Sequence, residues 1–175
     1  MLTDLLAYWP LLTRLEVGWL WRSGVTPRAM ASPFPLGSAR VRFDLDRFDL
    51  DLEHDAKGER AVLILALDRG EPVDLVAWAP RSGRLGLLIG CAPVLGDLDD
   101  LTNPATFFDG DGLRVHRTPL DWLRADRAGV VPINPQILRD CRRLIFADAD
   151  HAKQIRRALE SSVEFIIEIE EGKAA

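Results

Sequence analysis

Cysteine is scarce in this chain: 175 residues contain two, Cys91 and Cys141, and neither stands at a metal-ligand spacing from other candidate donors. A disulfide framework and a zinc site are therefore not expected, and two ordinary buried thiols are. Long apolar runs are missing too. No stretch of about eighteen uncharged apolar residues occurs, which argues against a membrane span. The apolar N-terminus is broken by Asp4, Arg14 and Glu16, which argues against a signal peptide and leaves a cytoplasmic protein as the expectation. Familiar catalytic grammars are absent: there is no Gly-x-Ser-x-Gly, no phosphate loop, no dinucleotide fingerprint and no His-Glu-x-x-His. Nor is there an excess of positive charge. A net charge of −5 argues against strong sequence-independent nucleic-acid binding by the chain as a whole.

What is present is a 47% hydrophobic composition, enough for a folded core in one good-sized domain or two small lobes. The charge is unevenly spread. Residues 40–112 carry eight Lys/Arg against fifteen Asp/Glu, a balance of −7, whereas residues 113–157 carry ten against five, a balance of +5. One half is acidic and the other basic.

Leu5, Trp9, Leu12, Leu15 and Trp19 recur at spacings of three and four. That stripe predicts an N-terminal amphipathic helix capped by Thr3, kinked at Pro10 and ended by Gly24. "TPRAM" predicts a short second helix with Thr26 as cap and Pro27 in its first turn. From residue 39 the period becomes two. Val41, Phe43 and Leu45, then Phe48, Leu50 and Leu52, then "AVLILAL", "VDLVAWA" and "LGLLIG" predict an antiparallel sheet of four or five strands. The acids of "DLDRFDLDLEHD" alternate with apolar residues and predict a solvated face rather than a metal site. "FFDGDG" lacks the downstream glutamate of a calcium loop and reads as a Gly-rich turn.

Beyond the loop from Gly96 to Gly112 the pattern changes again. "GLRVH" leads into "TPLDWLRA", "GVVPI" into "NPQILRDC", and "RLIFA" into "DADHAKQIRRALE", with "VEFIIEIE" expected as a closing strand. Thr118, Asn134 and the aspartates at 148 and 150 each stand as cap residues directly after a strand. Three strand-to-helix turns predict a small parallel sheet, with ligands at the carboxyl ends of its strands, where His116, Asn134, Asp148 and Asp150 fall. The organisation expected is a helical segment (1–38), an antiparallel β lobe (39–111) and an α/β lobe (112–175), packed as one compact α+β unit.

The Asp148-Ala-Asp150 pair admits two readings. Two carboxylates at a strand end can hold Mg²⁺, a hard ion that takes oxygen ligands. Equally, one aspartate can cap the helix while the other meets its dipole. Arg117, Lys153, Arg156 and Arg157 lie near the same strand ends, where they can meet nucleic-acid phosphates, although Arg156 and Arg157 can also pair with Glu160. No aromatic platform accompanies them. Trp122, Trp9, Trp19 and Trp78 are expected in the core, and Trp21 at the contact between the first helix and the sheet. His54 falls in a charged turn, and His151 reads as a first-turn helix residue.

The element order of residues 112–170, with "PLDWL" on the first helix and "FADAD" at the end of the third strand, resembles the Toprim domain of primases and topoisomerases. The resemblance implies a parallel α/β lobe in which Asp148 and Asp150 bind Mg²⁺ for phosphoryl transfer or strand cleavage. Asp121 stands where the family has a later acid. Where the family has Glu-Gly, this chain has His116-Arg117, and Lys153 stands where a glycine is common. Histidine transfers protons near neutral pH but replaces a carboxylate poorly around Mg²⁺. The resemblance thus implies a degenerate active site in a protein of phage or plasmid replication, with DNA or a replication protein as partner and Mg²⁺ as the one cofactor in question. Three functions follow: a non-catalytic or weakly active accessory of nucleic-acid transactions, a divergent Mg²⁺-dependent phosphotransfer enzyme or nuclease with His116 as proton carrier, or a protein-interaction module with no nucleic-acid role.

Overall fold

The computed structural model describes residues 9–51, 58–103, 112–141 and 143–171, with side chains as far as residue 160. Helix α1 (Arg14–Arg22) starts at a capping box, in which Thr13 Oγ1 accepts from Glu16 N at 3.4 Å and Glu16 Oε2 accepts from Thr13 N at 2.7 Å. The cap expected at Thr3 lies outside the described residues. Pro10 precedes the Arg14–Arg22 helix instead of kinking it, and Leu11 forms an antiparallel bridge with Gly37. Local chemistry explains the start at Thr13. Thr13-x-x-Glu16 satisfies orphan N–H groups at a helix start, whereas proline inside a helix would remove one. Glu16 also accepts from Arg60 Nε at 2.7 Å and from Ser38 Oγ at 2.7 Å, which pins α1 to the sheet. Burial opposes its ionisation, but Arg60, Thr13 and Ser38 outweigh that and hold its pKa at about 2. Helix α2 (Pro27–Ala31) follows as expected, with Thr26 Oγ1 accepting from Ala29 N at 3.0 Å.

The period-two region forms strands β1 (Gly37–Asp44), β2 (Arg47–Leu50), β3 (Glu59–Asp68), β4 (Glu71–Trp78) and β5 (Leu85–Leu87). They close into a barrel of order β1-β2-β5-β4-β3 rather than an open antiparallel sheet. Closure rests on a parallel contact, Arg47 opposite Leu87, in a barrel whose other pairings are antiparallel. Gly86 makes the approach possible: a Cβ there would stand 2.9 Å from Phe43 Cδ1 and 3.0 Å from Arg47 O. Val41, Phe48, Ala61, Leu63, Leu65, Leu75 and Ala77 share the core inside the barrel. The alternate residues of β3 and β4, Val62, Ile64, Ala66, Val76 and Trp78, are buried in a second core. "AVLILAL" is thus covered on both faces, which is why it has no polar alternation.

The chain then continues through β6 (Val94–Leu95), β7 (Leu113–Val115), α3 (Pro119–Arg124), β8 (Val131–Pro132), β9 (Leu144–Phe146) and α4 (Ala149–Glu171). Leu20 and Ala29 from the N-terminal helices and Val25 from the link between them pack with Trp122 and Leu123 of α3 over the outer face of β3 and β4. Strand β7 pairs with β9 in parallel, and Val115 makes a parallel bridge to Val130, but β8 itself pairs antiparallel with β6. The architecture is α+β.

Several sequence expectations change. Residues 163–170, expected as a strand, belong to α4. Glu164, Glu168 and Glu171 recur at four and three, a helical spacing hidden within an apparent alternation. Asp51 is buried beside Arg40, at 3.8 Å, and so departs from the solvated acidic face. Cys91 is exposed, not buried. Trp21 is 60% exposed and does not dock α1, a task that falls to Leu20 and Trp19. His54, most of "NPATFFDGDG" and Arg142 lie outside the described residues. No helix among the described residues is long and apolar enough to cross a membrane.

Gly86→Ala should lower stability by about 1–3 kcal/mol, the usual cost of forcing extra atoms into a packed contact. Urea unfolding of the two proteins measures this. An unchanged midpoint would mean that the β2–β5 closure has slack.

Candidate functional site at the carboxyl ends of β7 and β9

The parallel register of β7 and β9 brings the residues after Val115 and Phe146 to one rim. His116 follows β7, with its backbone N donating to Val130 O at 2.8 Å. Its side chain is half-buried and Nε2 donates to Ala128 O at 2.8 Å, since a carbonyl can only accept. That bond fixes the neutral tautomer, with Nδ1 as the acceptor nitrogen. Burial lowers the His116 pKa, with Arg114 adding to the effect, against the opposing influence of the Ala128 bond and Asp121. Thr118 then caps α3, accepting from Asp121 N at 3.2 Å.

Across the rim, Asp148 caps α4. Its Oδ1 accepts from His151 N at 2.7 Å, the third helical position, and its backbone oxygen accepts from Ala152 N at 3.3 Å. The same Oδ1 lies 3.3 Å from Arg117 Nη2. The His151 amide lowers the Asp148 pKa most, and Arg117 acts in the same direction. Asp150, two residues on and the second residue of α4, is 86% exposed in its side chain and pairs with Lys153 at 3.6 Å. The two aspartates thus have separate tasks.

His151 sits in the first turn of α4, as expected, but its burial is what the sequence did not reveal. It is buried, with its ring edge-on to Phe146 at 5.2 Å and 87°. Burial lowers its pKa, Arg117 and His116 add to the effect, and Asp148 and Asp121 oppose it. These mutual influences place His116, Arg117, Asp121, Asp148 and His151 in one electrostatic cluster. The available signal was its position three after a capping aspartate, which turns a side chain toward the helix's inner face together with Ile155.

Mg²⁺ requires several convergent oxygen donors. Here Asp148 serves a backbone N–H and Arg117, Asp150 pairs away with Lys153, and the first-strand position holds a histidine tied to a carbonyl. Among the described residues no group of three or more His, Cys, Asp or Glu side chains could hold a metal ion. The arrangement fits a helix cap better than an ion site.

Lys153, Arg156 and Arg157 point outward from the first turns of α4, opposite His151 and Ile155. Among the described residues Arg156 and Arg157 form no hydrogen bond or ion pair, so the expected pairing with Glu160 is not made. Other basic residues of the segment are engaged. Arg124 Nε donates to Ser23 O at 2.7 Å and Arg127 Nε to Ala29 O at 2.6 Å, which ties α3 and its following turn to the N-terminal helices. Arg127 also lines a cavity of about 170 Å³ with Trp122, Leu65, Leu67 and Asp97, and none of the site residues expected from the sequence borders it.

No family model matches the chain, and neither the curated proteins nor the solved structures contain a match to it.

The two histidines set a pH dependence. Their folded-state pKa values lie below the ordinary 6.5, so between the two values the unfolded chain binds more protons. Stability should be greatest above about pH 6.5 and fall as the pH drops through that value. Denaturant midpoints at pH 7.5 and pH 5 provide the comparison, with imidazole proton shifts in NMR to assign it. Titration of both rings at or above 6.5 would contradict the burial account.

Proposed function

We propose that the chain is a non-catalytic or weakly active accessory of nucleic-acid transactions, in which residues 112–170 are a Toprim-like lobe with a degraded acidic site. The observation that carries the reading is the placement of Lys153, Arg156 and Arg157 on the exposed face of α4, with Arg117 at the same rim. Lys153, Arg156 and Arg157 lie beyond the first turn, where the helix dipole has little hold on them, and Arg156 and Arg157 form no ion pair among the described residues, so folding alone does not favour cations there. A polyanionic backbone does. The parallel β7–β9 pair with Asp148 after its second strand supports the likeness to the Toprim order. The Asp148–Arg117 and Asp150–Lys153 pairs support loss of the metal-binding role. Arginine is suited to phosphate by its planar fork of donors, and a helix face carrying a lysine and two arginines can follow a strand of phosphates.

The partner is DNA, or a replication protein already on DNA, met in the cytoplasm of a cell carrying a phage or plasmid. Fluorescence anisotropy with labelled single- and double-stranded oligonucleotides, at salt from about 50 to 200 mM, tests it directly. Affinity should fall with salt, and Arg156→Ala/Arg157→Ala should flatten the log–log slope by roughly 1.4–1.8, two phosphate contacts' worth. Asp148→Asn/Asp150→Asn should bind as well as the native chain or better. Metal-dependent cleavage that vanishes in His116→Ala would favour the enzyme instead. No salt-sensitive binding at all would favour a protein-interaction module.

A further inference from the structure

Two features of the surface weaken the fold locally and are explained by no contact among the described residues. The first is Gly18, in the middle of α1. Glycine in a helix interior costs about 1 kcal/mol relative to alanine. Among the described residues no close approach requires it, because a Cβ at Gly18 would meet only Arg22 Nη1 there, at 4.0 Å. Its neighbours at three and four residues are Arg14, Leu15, Trp21 and Arg22. Leu15 is 85% exposed and Trp21 60% exposed. The outward face of α1 is therefore missing one side chain at Gly18, a hole flanked by Leu15 and Trp21, with Arg22 Nη1 beside it and Arg14 a turn away. Arg14 and Arg22 form no ion pair among the described residues.

The second is Leu45, at the tip of the β1–β2 hairpin. It is 88% exposed and sits at φ 51°, in the left-handed region that disfavours a side chain and suits glycine or asparagine. Asp44 and Asp46 flank it, both exposed and neither ion-paired among the described residues. Arg47 turns back to donate to the Leu88 and Ile89 carbonyl oxygens, so the charge at the tip is acidic. The hairpin offers an apolar knob between two carboxylates.

We propose that the Leu45 tip of one molecule docks into the Gly18 hole of a second copy of this chain, with Asp44 and Asp46 meeting Arg14 and Arg22. Shape and charge select this occupant: a single leucine fits where glycine leaves space between Leu15 and Trp21, and the two flanking charges are opposite in sign to those of the hole. The contact uses different surfaces on the two molecules, so it is heterologous and propagates head to tail unless the rotation closes a ring. A knob of this size makes the association weak and concentration-dependent. The proposal is independent of the nucleic-acid reading.

Sedimentation velocity and light scattering from about 10 μM to about 1 mM test it. The native chain should rise above the mass of one 175-residue chain as concentration increases, less so at high salt. Leu45→Asn removes the knob and suits the backbone, and Gly18→Leu fills the hole and improves the helix. Both variants should stay at single-chain mass while unfolding no more easily than the native protein. Mixed one to one they should associate again, because one keeps the hole and the other the knob, and the mass should stop at twice that of a single chain. A native protein that never leaves single-chain mass would overturn the proposal. So would either variant associating like the native chain, or a mixture that does not recombine.

Discussion

The carboxylate of Asp74 is the interaction on which the arrangement of the two halves depends. It is fully buried, and it accepts from the backbone N–H groups of Leu75, Ile89, Gly90, Cys91 and Ala92 at 2.7 to 3.2 Å. Hydrogen bonds to a charged acceptor contribute about 1.5–3 kcal/mol each at best, and removal of a buried acceptor strands its donors. The segment it holds leads out of β5 and delivers β6 to the edge where β8 pairs. Through β8 and the Val130 bridge, that placement fixes β7, and through β7 it fixes β9 and the rim at which Asp148 sits.

The same chemistry recurs along the chain. Asp97 accepts from Arg69 N, Gly70 N and Asp99 N, and so holds the β3–β4 turn and the start of the next helical turn together. Asp148 accepts from His151 N. In each case a carboxylate serves backbone donors that secondary structure leaves over. An acidic composition here reflects the needs of a small barrel with many short connections as much as any ligand. That weighs against reading each aspartate as a metal donor. The basic side chains divide in a parallel way: Arg124 and Arg127 hold α3 to the N-terminal helices, while Arg156 and Arg157 remain outward.

Features set by a few neighbouring residues were legible in the sequence. Thr26-Pro27, Thr118-Pro119 and Asn134-Pro135 all cap helical turns as read, because a cap is decided within four residues. Barrel closure was not legible. It depends on the parallel Arg47–Leu87 contact and on Gly86 lacking a side chain, and no local period encodes either. Asp74 left a faint signal, a charge inside the apolar strand "VDLVAWA", but its partners lie up to eighteen residues away. At the rim the sequence located Asp148 and His116 at strand ends, and the β7–β9 pairing makes those ends adjacent. It could not divide the work between Asp148 and Asp150, because a cap and a ligand use the same carboxylate. Whether "VEFIIEIE" is strand or helix was equally beyond a short window, since its residues satisfy both periods.

The claim at the centre of this account is that Asp148 serves the backbone of α4 and not a metal ion. Mn²⁺ is a sensitive stand-in for Mg²⁺, and its binding can be followed by calorimetry or paramagnetic resonance on the native chain and on Asp148→Asn/Asp150→Asn. The account predicts no saturable binding that distinguishes the two proteins, with the double variant still folded because asparagine also caps helices. Saturable binding by the native chain that disappears in the variant would contradict it and return "FADAD" to the role of a working metal site.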